Sequence, residues 1–244
     1  MSVNLKKIIS INVLAAQLLC INHVTAEARP HDSIDPLTNG ANAALQRFLP
    51  KLDRNSACRP YTAVDADGNY NAGLRDSGGE SSQCSLTSRQ QVYTRTSRIN
   101  DNTHAVMYAY YFPKDNGRIF PSIGHRHDWE HAFVFIENFG DESQEKIVGA
   151  AYSAHGGVSV TTSPNRDGKQ IYISYDYNGS VTHSFVEGNS GSNNNHILIS
   201  YNRIPQAAKD TLDNQSFGNA IVPFRNSGNR FNSRVQQAAD ALGY

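Results

Sequence analysis

From Gln91 onward the chain consists of short runs rich in Val, Ile, Tyr and Phe, at 92–96, 105–112, 131–137, 147–154, 158–162, 170–177, 181–187 and 196–201, separated by Gly, Asn and Asp. Branched and aromatic side chains suit a pleated, half-buried surface, and turn residues at this spacing close hairpins. The pattern predicts a mostly β chain folded as an antiparallel β-sandwich. The run 105–112 is apolar at both parities, as a central strand covered on both faces requires.

Short helices flank the strands. Ala43, Ala44, Leu45 and Phe48 recur at helical spacing before Pro50, predicting a helix over 39–49. A second begins at Pro205, a residue suited to a first turn, and runs over 205–212. A third, over 231–242, lines up Val235, Ala238, Ala239 and Leu242. Residues 27–38 carry Pro30, Pro36 and no apolar period and read as a loose leader; 59–85 is a loop rich in Gly, Ser, Asp and Asn. No repeat of 20 to 50 residues appears, so 27–244 reads as a single domain.

The first 26 residues are laid out as a secretory signal: Lys6 and Lys7, an apolar run over 8–21, then Val24-Thr25-Ala26 before Glu27. The run is too short to span a bilayer and holds Ser10, Asn12 and Gln17. Bulky Leu19 argues against lipid attachment at Cys20. Cleavage removes two lysines and no acid from 22 basic and 22 acidic residues, leaving 20 against 22. That balance supplies no basic field for nucleic acid. The mean hydropathy of -0.52 and the lack of a long apolar stretch exclude a transmembrane helix in the mature chain. Cys58 and Cys84 remain, an even pair that in an exported chain favours one disulfide. A thiolate metal site would need two further soft ligands, and there is no C-x-x-C.

Chemistry concentrates in Gly124-His125-Arg126-His127-Asp128-Trp129-Glu130-His131, with Asp115 ten residues upstream of His125. On an extended segment Asp128 and Glu130 point the same way and repel each other unless a cation or a shared proton lies between them. His125 has the opposite parity, so a turn at Gly124 or a bulge must bring it round. Oxygen-rich ligation with one imidazole points to a hard divalent ion, Mg²⁺, Ca²⁺ or Mn²⁺. The order His-x-His-Asp-x-x-His superficially resembles the metallo-β-lactamase signature, but its Asp is one residue early and its last His one late, which sends each to the other strand face. Alternation puts Trp129 opposite Asp128 and Glu130, packed beneath the site.

Gly124 to Glu130 matches in full the signature of the necrosis- and ethylene-inducing peptide-like proteins, secreted cytolysins of plant-associated bacteria, fungi and oomycetes, which the chain resembles. Further matches are Ala105-Val106-Met107-Tyr108, Tyr111-Phe112-Pro113-Lys114-Asp115, Ser153-Ala154-His155-Gly156, Phe217-Gly218-Asn219-Ala220 and Val222-Pro223-Phe224. The cysteine pair is similar to the disulfide of the family's two-cysteine type. The resemblance implies an actinoporin-like sandwich and a divalent cation, Mg²⁺ or Ca²⁺, held by Asp115, His125, Asp128 and Glu130. It implies docking to glycosylinositol phosphorylceramides of the plant plasma membrane, membrane damage, and perception by a plant immune receptor in some members. His183 is similar to a histidine needed for toxicity, and His155 by position lines the pocket or serves as a structural histidine. Family members expose an aromatic near the place of His183; here Tyr177 and Tyr175 are the candidates, or else core tyrosines. The spacer between Asp115 and His125 is longer than the family's and adds Arg118 and Phe120.

The expectation is a secreted, metal-dependent, non-enzymatic cytolysin acting outside the cell. The segment has no nucleophile elbow and no activated Cys. The alternatives are a metal-dependent hydrolase of a glycan or phosphodiester with Asp128 or Glu130 as general base, and a non-toxic homologue sensed by plant immunity.

Overall fold

The computed structural model describes residues 25–38, 40–117 and 123–244. The signal-like segment 1–24 and the spacer residues Arg118 and Phe120 lie outside them. In chain order the strands are β1 (Ala28–Arg29), β2 (Lys51–Asp53), β3 (Tyr70–Asn71), β4 (Gln91–Arg98), β5 (Thr103–Asp115), β6 (His125–Glu137), β7 (Lys146–Ala154), β8 (Gly157–Thr161), β9 (Arg166–Asp167), β10 (Gln170–Asp176), β11 (Ser184–Glu187) and β12 (Ile197–Ser200). The α-helices are α1 (Ala43–Arg47), α2 (Gln206–Asn214) and α3 (Arg230–Leu242). The fold is mostly β with few helices.

A six-stranded sheet in the order β12-β4-β5-β6-β7-β8 dominates, and β11-β10-β2 form a smaller one with β9 beside β10. β5 is central, and every side chain from Ala105 to Phe112 is fully buried, as two-sided apolarity demands. One face meets the smaller sheet through rings: Phe112 stacks on Tyr175 with centroids 4.0 Å apart, and Tyr110 meets Phe185 edge-on at 5.2 Å. On the other face Tyr93, Tyr111 and Trp129 pack with Phe217 and Phe224 from the segment after α2. Such pairs add about 0.5–1.5 kcal/mol each beyond the area they bury.

The pairing is not wholly antiparallel, which corrects the sequence expectation. β12 runs parallel to β4, and β2 parallel to β10. β1 is parallel to β3 as well, and none of these three pairs is joined by a hairpin turn that would dictate direction. The leader is also not loose. Ile34 and Leu37 are buried, β1 pairs with β3, and the buried Gln91 amide receives the Leu37 N–H at 2.7 Å while donating to Leu37 O at 3.2 Å. Its two prolines erased any periodic signal, and its anchorage is through backbone groups that no pattern reveals.

The first helix is shorter than 39–49, because Asn42 caps it by accepting from Leu45 N at 2.9 Å and the chain turns at Phe48 ahead of Pro50. α2 and α3 lie within about two residues of expectation, and α3 buries Phe231, Val235, Ala238 and Ala239. β6 starts at His125, six residues before the expected 131–137, so the charged cluster is strand and not loop.

Cys58 and Cys84 are joined, with Cα atoms 5.1 Å apart, across a separation of 26 residues. Closing a loop of that span removes denatured-state entropy worth ~3.5 kcal/mol. The double variant Cys58→Ser with Cys84→Ser should lose about that much unfolding free energy in urea titration, read as a lower midpoint at unchanged m; an unchanged midpoint would mean that the 59–83 segment is held by its other contacts alone.

Candidate functional site

The site is built on the β5–β6 hairpin. Asp115 stands opposite His125, Phe112 opposite Asp128 and Tyr110 opposite Glu130. Strict alternation would put His125 on the face away from the two carboxylates. The parity is inverted at His127, whose backbone sits at φ 61°, in the left-handed region. Its ring meets Tyr111, with Nδ1 2.6 Å from the Tyr111 hydroxyl, and neighbouring Arg126 turns to the same side to donate to Ala72 O at 2.8 Å. Two successive side chains on one face return His125 to the face of Asp128 and Glu130. On β5 the matching break is at Pro113, which has no N–H to leave unpaired. Beyond it Lys114 donates to Ser77 O at 2.8 Å and Gly79 O at 3.0 Å, and Asp115 joins the carboxylates.

The inversion is therefore at His127, and Gly124, the expected turn, serves close packing instead: a Cβ there would lie 2.0 Å from Asp115 O. Gly73, at φ +66°, likewise lets its loop pass over the inversion, where a Cβ would come within 2.6 Å of His127 Cε1.

Asp115, Asp128 and Glu130 are only 1, 6 and 7% exposed. The Tyr175 hydroxyl donates to Asp128 Oδ2 at 2.7 Å, and the Ser153 hydroxyl donates to Glu130 Oε2. Burial first, and then the charge of Asp115, raise the Asp128 carboxyl to about 7, against the easing influence of His125 and Tyr175. Burial and then Asp128 push Glu130 well above the usual carboxylate range, eased by Ser153. His127, by contrast, is held down to about 4 by burial and by Arg126 and His125, so it is a neutral imidazole.

Asp115 is tied to His183. It accepts the His183 backbone N–H at 2.9 Å, and His183 Nδ1 lies 2.5 Å from its other oxygen. The His183 ring is held between Tyr175, centroids 4.4 Å apart, and Tyr177, at 3.9 Å, and its buried Nε2 has no hydrogen-bond partner. His125 Nε2 is 3.8 Å from Asp115 Oδ2. The structure thus brings together Asp115, His125, Asp128, Glu130, His183 and Tyr177. Tyr175 is fully buried, a core tyrosine and not an exposed aromatic. Tyr177 is half-buried, its hydroxyl donating to Glu80 Oε1 at 2.9 Å. His155 stays apart, exposed in the turn between β7 and β8 at φ 46°. Trp129 lies beneath the site among Tyr93, Tyr111, Phe217 and Phe224, as alternation predicts.

Sequence reasoning missed the hydroxyls of Tyr175 and Ser153, which reach the carboxylates from other strands. It also missed His127, although Pro113 in the preceding strand marked where the ladder must break.

Three buried carboxylates, of which Asp128 and Glu130 are raised by burial and by their acidic neighbours, faced by imidazoles and by the Arg234 guanidinium acting on Glu130, are an oxygen-rich set. That chemistry fits a hard divalent cation. Among the described residues no three His, Cys, Asp or Glu side chains converge closely enough to grip an ion, so the fit is one of charge and donor type.

Residues 42–238 match the family model described as necrosis inducing protein (NPP1). NLP effector protein 10 of Phytophthora capsici is 36% identical over 88% of this chain and 93% of its own length. A solved structure described as a toxin fold, the basis for microbial attack and plant defense, superposes with a TM-score of 0.77 at 33% identity, covering 86% of this chain and 99% of that one. NLPPya in complex with glucosamine superposes with a TM-score of 0.74 at 33% identity, over 86% of this chain and 98% of that one.

Asp128 carries a sign-definite pH dependence. Its folded carboxyl titrates at about 7, well above the 3.8 of an ordinary aspartate, so ionising it costs the fold stability as pH rises from about 4 to about 7. Asp128→Asn keeps an acceptor for Tyr175 and escapes that cost. In metal-free protein the Tm of the variant relative to the parent should climb through this window; a pH-independent difference would show that the carboxyl is not raised.

Proposed function

Because the chain belongs to the necrosis-inducing protein (NPP1) family, we propose that it is an exported, cation-dependent cytolysin that docks the sugar head group of glycosylinositol phosphorylceramides in the outer leaflet of the plant plasma membrane. The observation that carries this reading is the set of three buried, mutually repelling carboxylates on one face of the hairpin. Asp115, His125, Asp128 and Glu130 would hold Mg²⁺ or Ca²⁺, which supplies positive charge and open positions for hydroxyl oxygens. The chain's own groups orient that set: Tyr175 fixes Asp128, Ser153 fixes Glu130, and His183 fixes Asp115.

The glucosamine complex of a relative supports an amino sugar as a ligand class. His183, with its free Nε2 between two tyrosines, offers a polar atom and aromatic faces beside the cluster, as sugar binding favours. Tyr177 would form the wet edge of this surface. Two sheets joined through rings are a scaffold of the actinoporin-like sandwich kind, on which the docking surface is rigid and the remaining loops meet the lipid. Perception of the protein by a plant immune receptor accompanies this role.

An Asp128 carboxyl near neutrality also suits a general base, which favours hydrolysis of the bound lipid as the second reading.

Purified protein should release dye from vesicles containing glycosylinositol phosphorylceramides with Ca²⁺ or Mg²⁺ and lose that release in excess chelator. Asp128→Ala should bring release to background while its circular dichroism spectrum stays that of the parent. No release from folded, ion-bound protein would overturn the cytolysin and identify a non-toxic member. Mass-spectrometric turnover of the lipid would replace binding with hydrolysis.

A further inference from the structure

A second polar site lies away from the carboxylate cluster. Beside β2, a cavity of about 340 Å³ is bounded by Arg54, Arg59, His196, Ser190, Ser192 and Asp53, among others. Its charge is unbalanced. The ion pairs of the described residues engage Arg29, Arg47, Arg89 and Arg98, and leave both of its arginines out. Arg54 donates to Ala57 O, and Arg59 donates to Ser85 O at 2.9 Å and Gln90 Oε1 at 3.5 Å. These are neutral acceptors that hold the guanidinium groups in place without cancelling them.

The two guanidinium groups feel each other. Burial and then the charge of Arg59 lower the Arg54 pKa, with Asp53 acting the other way. The His196 imidazole is held down to about 4 by burial and by the same Arg59. It is neutral at pH 7, it packs edge-on against Tyr110, and its buried Nδ1 has no hydrogen-bond partner. Asp53 is the one acid of the lining, and its oxygens already receive Asn55 N at 3.0 Å and the Ser190 hydroxyl at 3.5 Å.

Two like charges brought together on the wall of an open cavity, with the Ser192 hydroxyl beside them, form a receptor for a tetrahedral oxyanion. Guanidinium groups hold phosphate oxygens by paired, charge-assisted hydrogen bonds. A carboxylate would leave part of this donor set unused. We propose that the cavity beside β2 binds a phosphate group through Arg54 and Arg59. The same chemistry is offered by free phosphate and by the phosphodiester of an inositol lipid. The site stands independently of the cation-dependent role proposed above, since it shares no residue with the carboxylate cluster.

Inorganic phosphate titrated by calorimetry into protein stripped of divalent ions and desalted tests this directly. The parent should bind saturably, and Arg54→Met and Arg59→Met should each weaken binding at least about tenfold, the size of a lost charge-assisted pair. Asp53→Asn should instead tighten it several-fold, a gain that damage to the fold cannot mimic. Phosphatidylinositol vesicles, set against phosphatidylcholine vesicles, separate the sources: retention that needs both arginines assigns the lipid phosphate, and phosphate binding without retention assigns the free anion. Absence of saturable binding in the parent, or equal binding in the parent and all three variants, overturns the proposal.

Discussion

The two-sided burial of β5 is the constraint on which the rest depends. A strand apolar at both parities has no face to give to water, so both sides must be covered. The smaller sheet covers one through Tyr175 and Phe185, and the segment after α2 covers the other through Phe217 and Phe224. On β6, Asp128 and Glu130 stand opposite the core residues Phe112 and Tyr110, and Asp115 follows where β5 runs past them. Their burial, and with it the raised pKa of Asp128 and Glu130, is a by-product of sitting on the most deeply covered strands of the molecule.

Much of this was legible. Turn residues and branched runs located the strands from β4 onward, and alternation placed Trp129 under the site. The carboxylates and His125 were found because several ionisable side chains stood side by side in a run that otherwise reads as strand. The illegible parts share a physical character. Parallel pairing of β12 with β4 depends on a long-range meeting that leaves no local mark. The leader is anchored by backbone groups and the Gln91 amide. The left-handed residue at His127 is not a glycine or an asparagine, the types that signal such a backbone.

The cluster also illustrates how buried carboxyls are fixed in place by donors from the surrounding strands. Each acid has a fixed donor: the Ser153 hydroxyl, the Tyr175 hydroxyl and the His183 imidazole with its backbone N–H. Those donors orient the carboxyl oxygens. The groups responsible come from β7, β10 and the residue ahead of β11, so the site samples both sheets.

All four residues that would hold the ion belong to one hairpin of sequence-adjacent strands, paired in a single register from Thr103 to Asp115. That geometry bears on how the chain reaches its native state. Such a hairpin closes over a short contour, and its contact order is low compared with the parallel pairings that complete the sheets. The ligand-bearing unit can therefore assemble early and locally, while the hydroxyls and the imidazole that orient it arrive with the slow, long-range steps.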